Sequence, residues 1–151
     1  LKVKVEEVYY DRAEVHFELG HYEEAISDFK KVISKNPKNM DARYQKAMCY
    51  IHYGKEYYAI KDLKYIAKMD PTYSDALYDL AVIYESKEQP KTALPYINKV
   101  IDLEDAHADA YLLRAEILYD IDKKEEACLD FKKADELGDK TAHKEAHKYC
   151  K

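Results

Sequence analysis

Glycine is scarce in this chain. Gly20, Gly54 and Gly138 are the only three among 151 residues. That scarcity, with 36% charged residues, suits a helical surface and argues against a barrel or sandwich. Cysteine is also sparse, and Cys49, Cys128 and Cys150 are odd in number and far apart. No disulfide framework and no zinc spacing is expected from such a set. Cys49 and Cys128 fall on apolar helical slots, where a reduced thiol acts as a small hydrophobe. This points toward a reducing compartment, the cytoplasm. No apolar run approaches the length of a membrane span, so insertion into a bilayer is not expected. No leader is visible, but the chain opens on Leu1 rather than methionine. It is expected to be an excised fragment, so the missing leader carries no weight. Net charge is −5. A nucleic-acid binder would show a basic face, so no nucleic-acid partner is expected.

What the chain does have is a period of 34 residues, repeated four times. Segments starting at Glu6, Met40, Ser74 and Ala108 align without a gap. Their eighth slot holds Ala13, Ala47, Ala81 and Ala115, and their twentieth holds Ala25, Ala59, Ala93 and Ala127. A large apolar residue fills the twenty-fourth: Phe29, Leu63, Ile97 and Phe131. Pro37 and Pro71 close the first two repeats, and Asp105 and Asp139 take that slot in the others. Small residues at fixed offsets in such a period mark a helix-turn-helix solenoid. These residues resemble the tetratricopeptide repeat family from Glu6 to Thr141. The fold expected is an all-α, right-handed superhelical solenoid of four repeats plus a C-terminal capping helix. It reads as one domain over 1–151, with repeats at 6–39, 40–73, 74–107 and 108–141 and the cap at 142–151.

Each repeat divides into helix A and helix B. In the first, A runs from about Val5 to Leu19 and B from about Tyr22 to Ser34. Gly20 and Gly54 follow A helices, where a left-handed cap favours glycine. Glu88 and Asp122 occupy that slot in the other two repeats, so those turns are expected to be less ideal. The recurrent alanines mark where A and B cross, since a larger side chain would overpack there. Pro90 suits the start of a B helix. Pro95, a turn further in, predicts a kink or a late helix start. Thr141 to Lys151 predicts a cap, with Ala142, Ala146 and Tyr149 on the seam.

Slots seven and twenty-three change together. They hold Arg12 with Asp28, Lys46 with Asp62, Leu80 with Tyr96, and Arg114 with Asp130. Three repeats carry opposite charges and one replaces both, which predicts a structural contact between helices A and B.

By family resemblance the A helices line a concave groove. Its candidate binding residues are Glu7, Tyr10, Asp11, Glu14, Asp41, Tyr44, Gln45, Asp75, Tyr78, Asp79, Asp109 and Glu116. The same slots also bring Phe17, Glu18, His52, Leu113 and Tyr119 toward the groove. This set is rich in carboxylates and holds no lysine or arginine. One sign of charge on a concave surface focuses its field, and tyrosines beside it offer anchoring area. Tyr10, Tyr44 and Tyr78 share one slot and could form a ladder. The competing reading is that the tyrosines pack between helices and the acids solvate the surface. A known subclass of the family clamps the C-terminal aspartate of chaperone tails with lysine, asparagine and arginine. Its positions correspond to Tyr10, Glu14, Gln45, Asp75 and Asp79, so acidic tails would be repelled.

No enzyme signature appears: no phosphate loop, no nucleophile elbow, no cysteine–histidine arrangement. His143 and His147 share the i,i+4 spacing of metal ligands, but HKEAH is not the zincin pattern and no third ligand is visible. His16 takes a slot held by Tyr50, Tyr84 and Leu118 elsewhere, so it reads as a packed histidine. Catalytic residues, metal and cofactor are therefore read as none. The expected role is a non-catalytic scaffold or adaptor for a basic or amphipathic protein segment. The alternatives are a self-assembling slice of a longer solenoid and a regulatory domain of a larger protein.

Overall fold

Alternating helix pairs follow the 34-residue period along the chain. The computed structural model describes residues 4–150, and the helices within it are α1 (Val5–Glu18), α2 (Tyr22–Lys35), α3 (Met40–His52), α4 (Glu56–Met69), α5 (Ser74–Ser86), α6 (Pro90–Leu103), α7 (Ala108–Asp120), α8 (Lys124–Glu136) and α9 (Lys140–Tyr149). The chain forms two compact units, one up to Pro71 and the other from Thr72. The first holds α1–α4 and the second α5–α9. Residues 1–3 and 151 of the expected domain span, and the Lys151 end of the expected cap, lie outside the described residues.

Within each unit the same local rules build the pairs. All eight recurrent alanines are fully buried. In the first unit Ala13, Ala25, Ile26, Phe29, Val32, Ala42 and Cys49 share one core. Helix α2 contributes through positions 25, 26, 29 and 32, one stripe of a 3.6-residue period. In the second unit Ala115, Leu118, Ala127 and Phe131 form a core against which Tyr119, Ala146 and Tyr149 pack. Pro37 and Pro71 follow the ends of α2 and α4, as expected.

The four A-to-B turns share one hydrogen-bond scheme. After α1 the Gly20 N–H donates to the Phe17 carbonyl (2.9 Å) and the His21 N–H to the His16 carbonyl (2.8 Å). The residue in the middle is left-handed, with φ of 74° at Gly20 and 73° at Gly54. Glu88 and Asp122 are forced into the same region, at 56° and 63°. Their turns still close: Gln89 N–H reaches the Tyr84 carbonyl (2.8 Å) and Lys123 N–H the Leu118 carbonyl (2.9 Å). This is the double-bonded cap that glycine favours, here held on two side-chain-bearing residues at a conformational cost of about 1 kcal/mol each.

Two expectations need correction. Of the two outcomes expected at Pro95, the late start is overturned: helix α6 begins at Pro90 and runs through Pro95 to Leu103. Pro95 and Lys91 are both exposed, so the carbonyl deprived of its donor faces water and the helix continues. The second correction concerns cysteine. Cys128 and Cys150 form a disulfide, with Cα atoms 5.4 Å apart and 22 residues of separation. The expectation of no disulfide fails because residues distant in sequence meet when α9 folds back on α8. The argument for a reducing compartment falls with it. Closing a loop of this size contributes about 3 kcal/mol in the chain-entropy account. Only Cys49 remains a free, buried thiol among the described residues.

Helix α9 is the cap foreseen from composition. The Asp139 side chain accepts from the backbone N–H of Thr141 (2.7 Å) and Ala142 (2.9 Å), an N-cap at the slot where earlier repeats carry proline. Ala142 is buried, and the Tyr149 ring lies 4.5 Å from that of Tyr119 and 6.1 Å from that of Phe131.

Candidate functional site

In the first unit the candidate residues sit on α1 and α3. Asp11, Glu14 and Asp41 are exposed, and Tyr10, Tyr44 and Gln45 are half-buried. Glu7 is also exposed but lies 3.5 Å from the Lys4 ammonium, a cation the groove inventory omitted. The Tyr10 ring meets Phe29 edge-on at 5.4 Å. Burial, then the charges of Glu14 and Asp41, raises its phenol pKa. Glu14, Phe17, Glu18 and Gln45 line one basin of about 430 Å³, floored by Phe29. Beside it Phe17 packs on His52 at 5.2 Å, and Tyr22 stacks on His52 at 5.6 Å. Sequence reasoning missed Tyr22, because its slot carries no aromatic in the other repeats. It placed Phe29 in the core only.

In the second unit Asp75, Asp109 and Glu116 are exposed, while Tyr78 and Asp79 are half-buried. Tyr78 stacks on His107 at 5.3 Å. His107 is itself held in place by its Nδ1, which accepts from the Ala110 N–H that opens α7 (3.2 Å). Burial raises the Tyr78 phenol pKa first, followed by Asp109, Asp79, Glu116 and Asp139. Glu116 behaves alike. Protein packed around its carboxyl raises the pKa, and Glu85, Glu145, Asp120 and Asp139 add to the shift. Asp139 and Glu145 were not foreseen, since they belong to the cap rather than to a helix A slot. One groove assignment is corrected here: Leu113 is buried and serves the core. Tyr119 is half-buried, with its ring 4.5 Å from that of Tyr149 of α9.

Models of the tetratricopeptide repeat match residues 6–39, 29–61, 63–94 and 108–139. The chain belongs to the tetratricopeptide repeat family. Among curated proteins no match to it is found. Solved structures share the fold at low identity. A fragment of MamA from Desulfovibrio magneticus RS-1 superposes with a TM-score of 0.86 at 21% identity, covering 93% of this chain and 81% of that one. A second MamA structure gives 0.82 at 22% identity, over 94% and 83%. YrrB, described as a TPR protein with an unusual peptide-binding site, gives 0.79 at 19% identity, over 95% and 75%. These likenesses concern the fold.

In three of the four tetratricopeptide repeats the coupled slots form the contacts their covariation implied. Arg12 donates to Asp28 in a two-pronged pair at 2.6 and 2.8 Å, and Arg114 does the same to Asp130. Lys46 reaches Asp62 at 3.1 Å, joined by Arg43 at 3.3 Å. In the third repeat Leu80 is buried and Tyr96 stacks on Tyr84 at 5.9 Å. Asp28, Asp62 and Asp130 are all buried, so these pairs tie helix A to helix B rather than meet a ligand. The Arg12 hydrogen bond, with Lys31 beside it, holds the Asp28 carboxyl below the usual range against the effect of burial.

His16 is half-buried beside His21, with ring centroids 5.9 Å apart, in keeping with a packed residue. His143 and His147 are exposed with ring centroids 4.7 Å apart, and His143 Nδ1 is 3.1 Å from the Asp135 carboxylate. Among the described residues no group of three or more His, Cys, Asp or Glu is placed to hold a metal ion. Among the described residues no helix is long and apolar enough to cross a membrane.

Proposed function

We infer that this chain is a non-catalytic interaction scaffold whose helix A faces take a basic, partly aromatic segment of a partner protein. The observation that carries this reading is the setting of Tyr10 and Tyr78. Each is half-buried, each has a ring partner outside its own helix (Phe29 of α2 for Tyr10, the α7 N-cap His107 for Tyr78), and the charges that raise its pKa all belong to carboxylates. Such a setting offers a rigid amphipathic anchor in a negative field, which suits a lysine- or arginine-rich segment carrying aromatic or aliphatic groups. Membership in a repeat family built for binding, and a fold shared with the peptide-binding YrrB, support the coarser reading of a scaffold. The same carboxylates disfavour acidic tails.

The test is a charge reversal. Asp11, Asp75 and Asp79 are changed to lysine, and binding of a fluorescent Lys/Arg-rich peptide bearing tyrosine is measured by anisotropy. Each reversal touches an exposed or half-exposed position, so the thermal melt is expected to stay cooperative. A loss of affinity of about tenfold or more supports the reading, since that factor corresponds to ~1.4 kcal/mol. Unchanged affinity in a folded variant contradicts it.

A further inference from the structure

The Cys128–Cys150 bond closes a loop that contains the whole of α9. Apart from this bond the helix is held mainly at its start. Asp139 caps its first turn, Ala142 is its one buried residue, and His143 meets Asp135. Its last turn packs through Ala146 and through Tyr149, which lies on Tyr119 and Phe131. A helix of ten residues is marginal on its own, so an anchor at its far end decides whether that end stays docked.

The bond is also reachable. Both cysteines are half-buried and border an open surface basin of about 470 Å³, flanked by Lys124, Lys132 and Glu125. Lys124 and Lys132 line the same basin as the two cysteines, with Lys124 also paired to Asp122 at 3.2 Å, and positive charge around such a basin favours a departing thiolate. Cys49 is the contrast: it is fully buried, and burial pushes its thiol up to about 11, which makes it inert.

We propose that Cys128–Cys150 is a thiol–disulfide exchange site that latches the end of α9, with a small dithiol or dithiol protein as its reductant. The chemistry balances simply. A reductant thiolate attacks one sulfur and forms a mixed disulfide, while the other sulfur leaves as a thiolate and takes a proton. The reductant's second thiolate then displaces the protein sulfur, which also takes a proton. The reductant ends as a disulfide and the chain gains two thiols. The reverse exchange with an oxidised dithiol closes the latch. Opening withdraws Tyr149 from Tyr119 and Phe131, and Glu145 from the carboxylates around Glu116. This inference does not depend on the binding role proposed above.

Hydrogen exchange read by mass spectrometry tests it on the full chain, before and after reduction with dithiothreitol. Thiol counting by alkylation under denaturing conditions gives the redox state, with one free thiol expected in the oxidised chain and three in the reduced one. Reduction is expected to speed exchange at residues 146–150 by about tenfold or more, while α1–α4 keep their protection. Reoxidation restores the original rates. The Cys128→Ser, Cys150→Ser double variant should behave as the reduced chain and ignore the reductant. The latch is overturned if exchange in α9 does not change on reduction, if all helices lose protection together, or if the oxidised chain shows three free thiols. It is equally overturned if the double variant, still protected in α1–α4, responds to dithiothreitol.

Discussion

The two units reach the same helix-pair geometry with different chemistry. The first ends both its A helices with glycine at positive φ and ties both its helix pairs with a buried aspartate. The second asks Glu88 and Asp122 to adopt the left-handed turn, replaces one of its two ion pairs with Leu80 and Tyr96, and adds a disulfide at its end. What both keep without exception are the buried alanines at the helix crossings. The backbone spacing at those crossings is therefore the strict requirement. The turn residue and the inter-helix tie are each one solution among several.

That ranking can be broken from the top. Ala47→Leu in the first unit and Ala81→Leu in the second place a large side chain at a crossing with no exposed surface. Each is expected to cost ~1–3 kcal/mol, similarly in both units, as measured by denaturant unfolding. A neutral result in either would remove the close approach as the common rule.

The ties come next. Asp130→Ala leaves Arg114, whose side chain is only 23% exposed, without its two-pronged partner. The expected loss is about 2 kcal/mol. Asp28→Ala should cost less, because Arg12 is 52% exposed and water can take over. Asp28 also gives the first unit an acid sensitivity. Its folded pKa is depressed, so its contribution is present above the ordinary carboxylate range and fades as pH falls through the folded value. Equal losses at both aspartates would show that burial of the arginine does not matter.

The turns should matter less still, and with opposite signs in the two units. Gly54→Ala places a Cβ in open space, so only the backbone conformation resists it. The expected loss is about 1 kcal/mol. Asp122→Gly relieves the same strain in the second unit, partly offset by the extra freedom of the unfolded chain, for a gain of about 0.5 kcal/mol. Thermal melts read both. A loss at Asp122→Gly would mean that the Asp122 side chain supplies more than the strain it carries.

The smallest effect concerns Glu116. Its raised folded pKa means a destabilisation that is full above that pKa and is relieved as pH falls through it. Glu116→Gln should raise the melting temperature slightly at pH 7 and leave it unchanged in acid. A variant less stable at pH 7 would contradict that sign.

The helix pairs were legible in the sequence because each repeat restates the same slots. The alanines, the closing prolines and the coupled charges check one another across the period. Features present once were not legible. Cys128 and Cys150 carry no periodic signal, and only the return of α9 onto α8 brings them together. Pro95 pointed to a late helix start because its exposure was not known. At the candidate site the recurring carboxylates and tyrosines were visible as slots. The basin over Phe29, the stacking of Tyr22 on His52 and the approach of Asp139 and Glu145 depend on neighbours outside those slots. The burial of Leu113 and the packing of Tyr149 on Tyr119 follow from local contacts that slot counting ignores.

The most direct measurement is a salt titration of peptide binding to the unmodified chain. A Lys/Arg-rich peptide with tyrosines is compared with its Asp/Glu counterpart by fluorescence anisotropy. The account predicts tight binding of the basic peptide at low salt and none of the acidic one. That binding should fall steeply as the screening length shrinks from ~10 Å at 0.1 M to ~3 Å at 1 M salt. Equal binding of both peptides, or a basic-peptide affinity indifferent to salt, would contradict it and leave the carboxylates of α1, α3, α5 and α7 as an ordinary solvated surface.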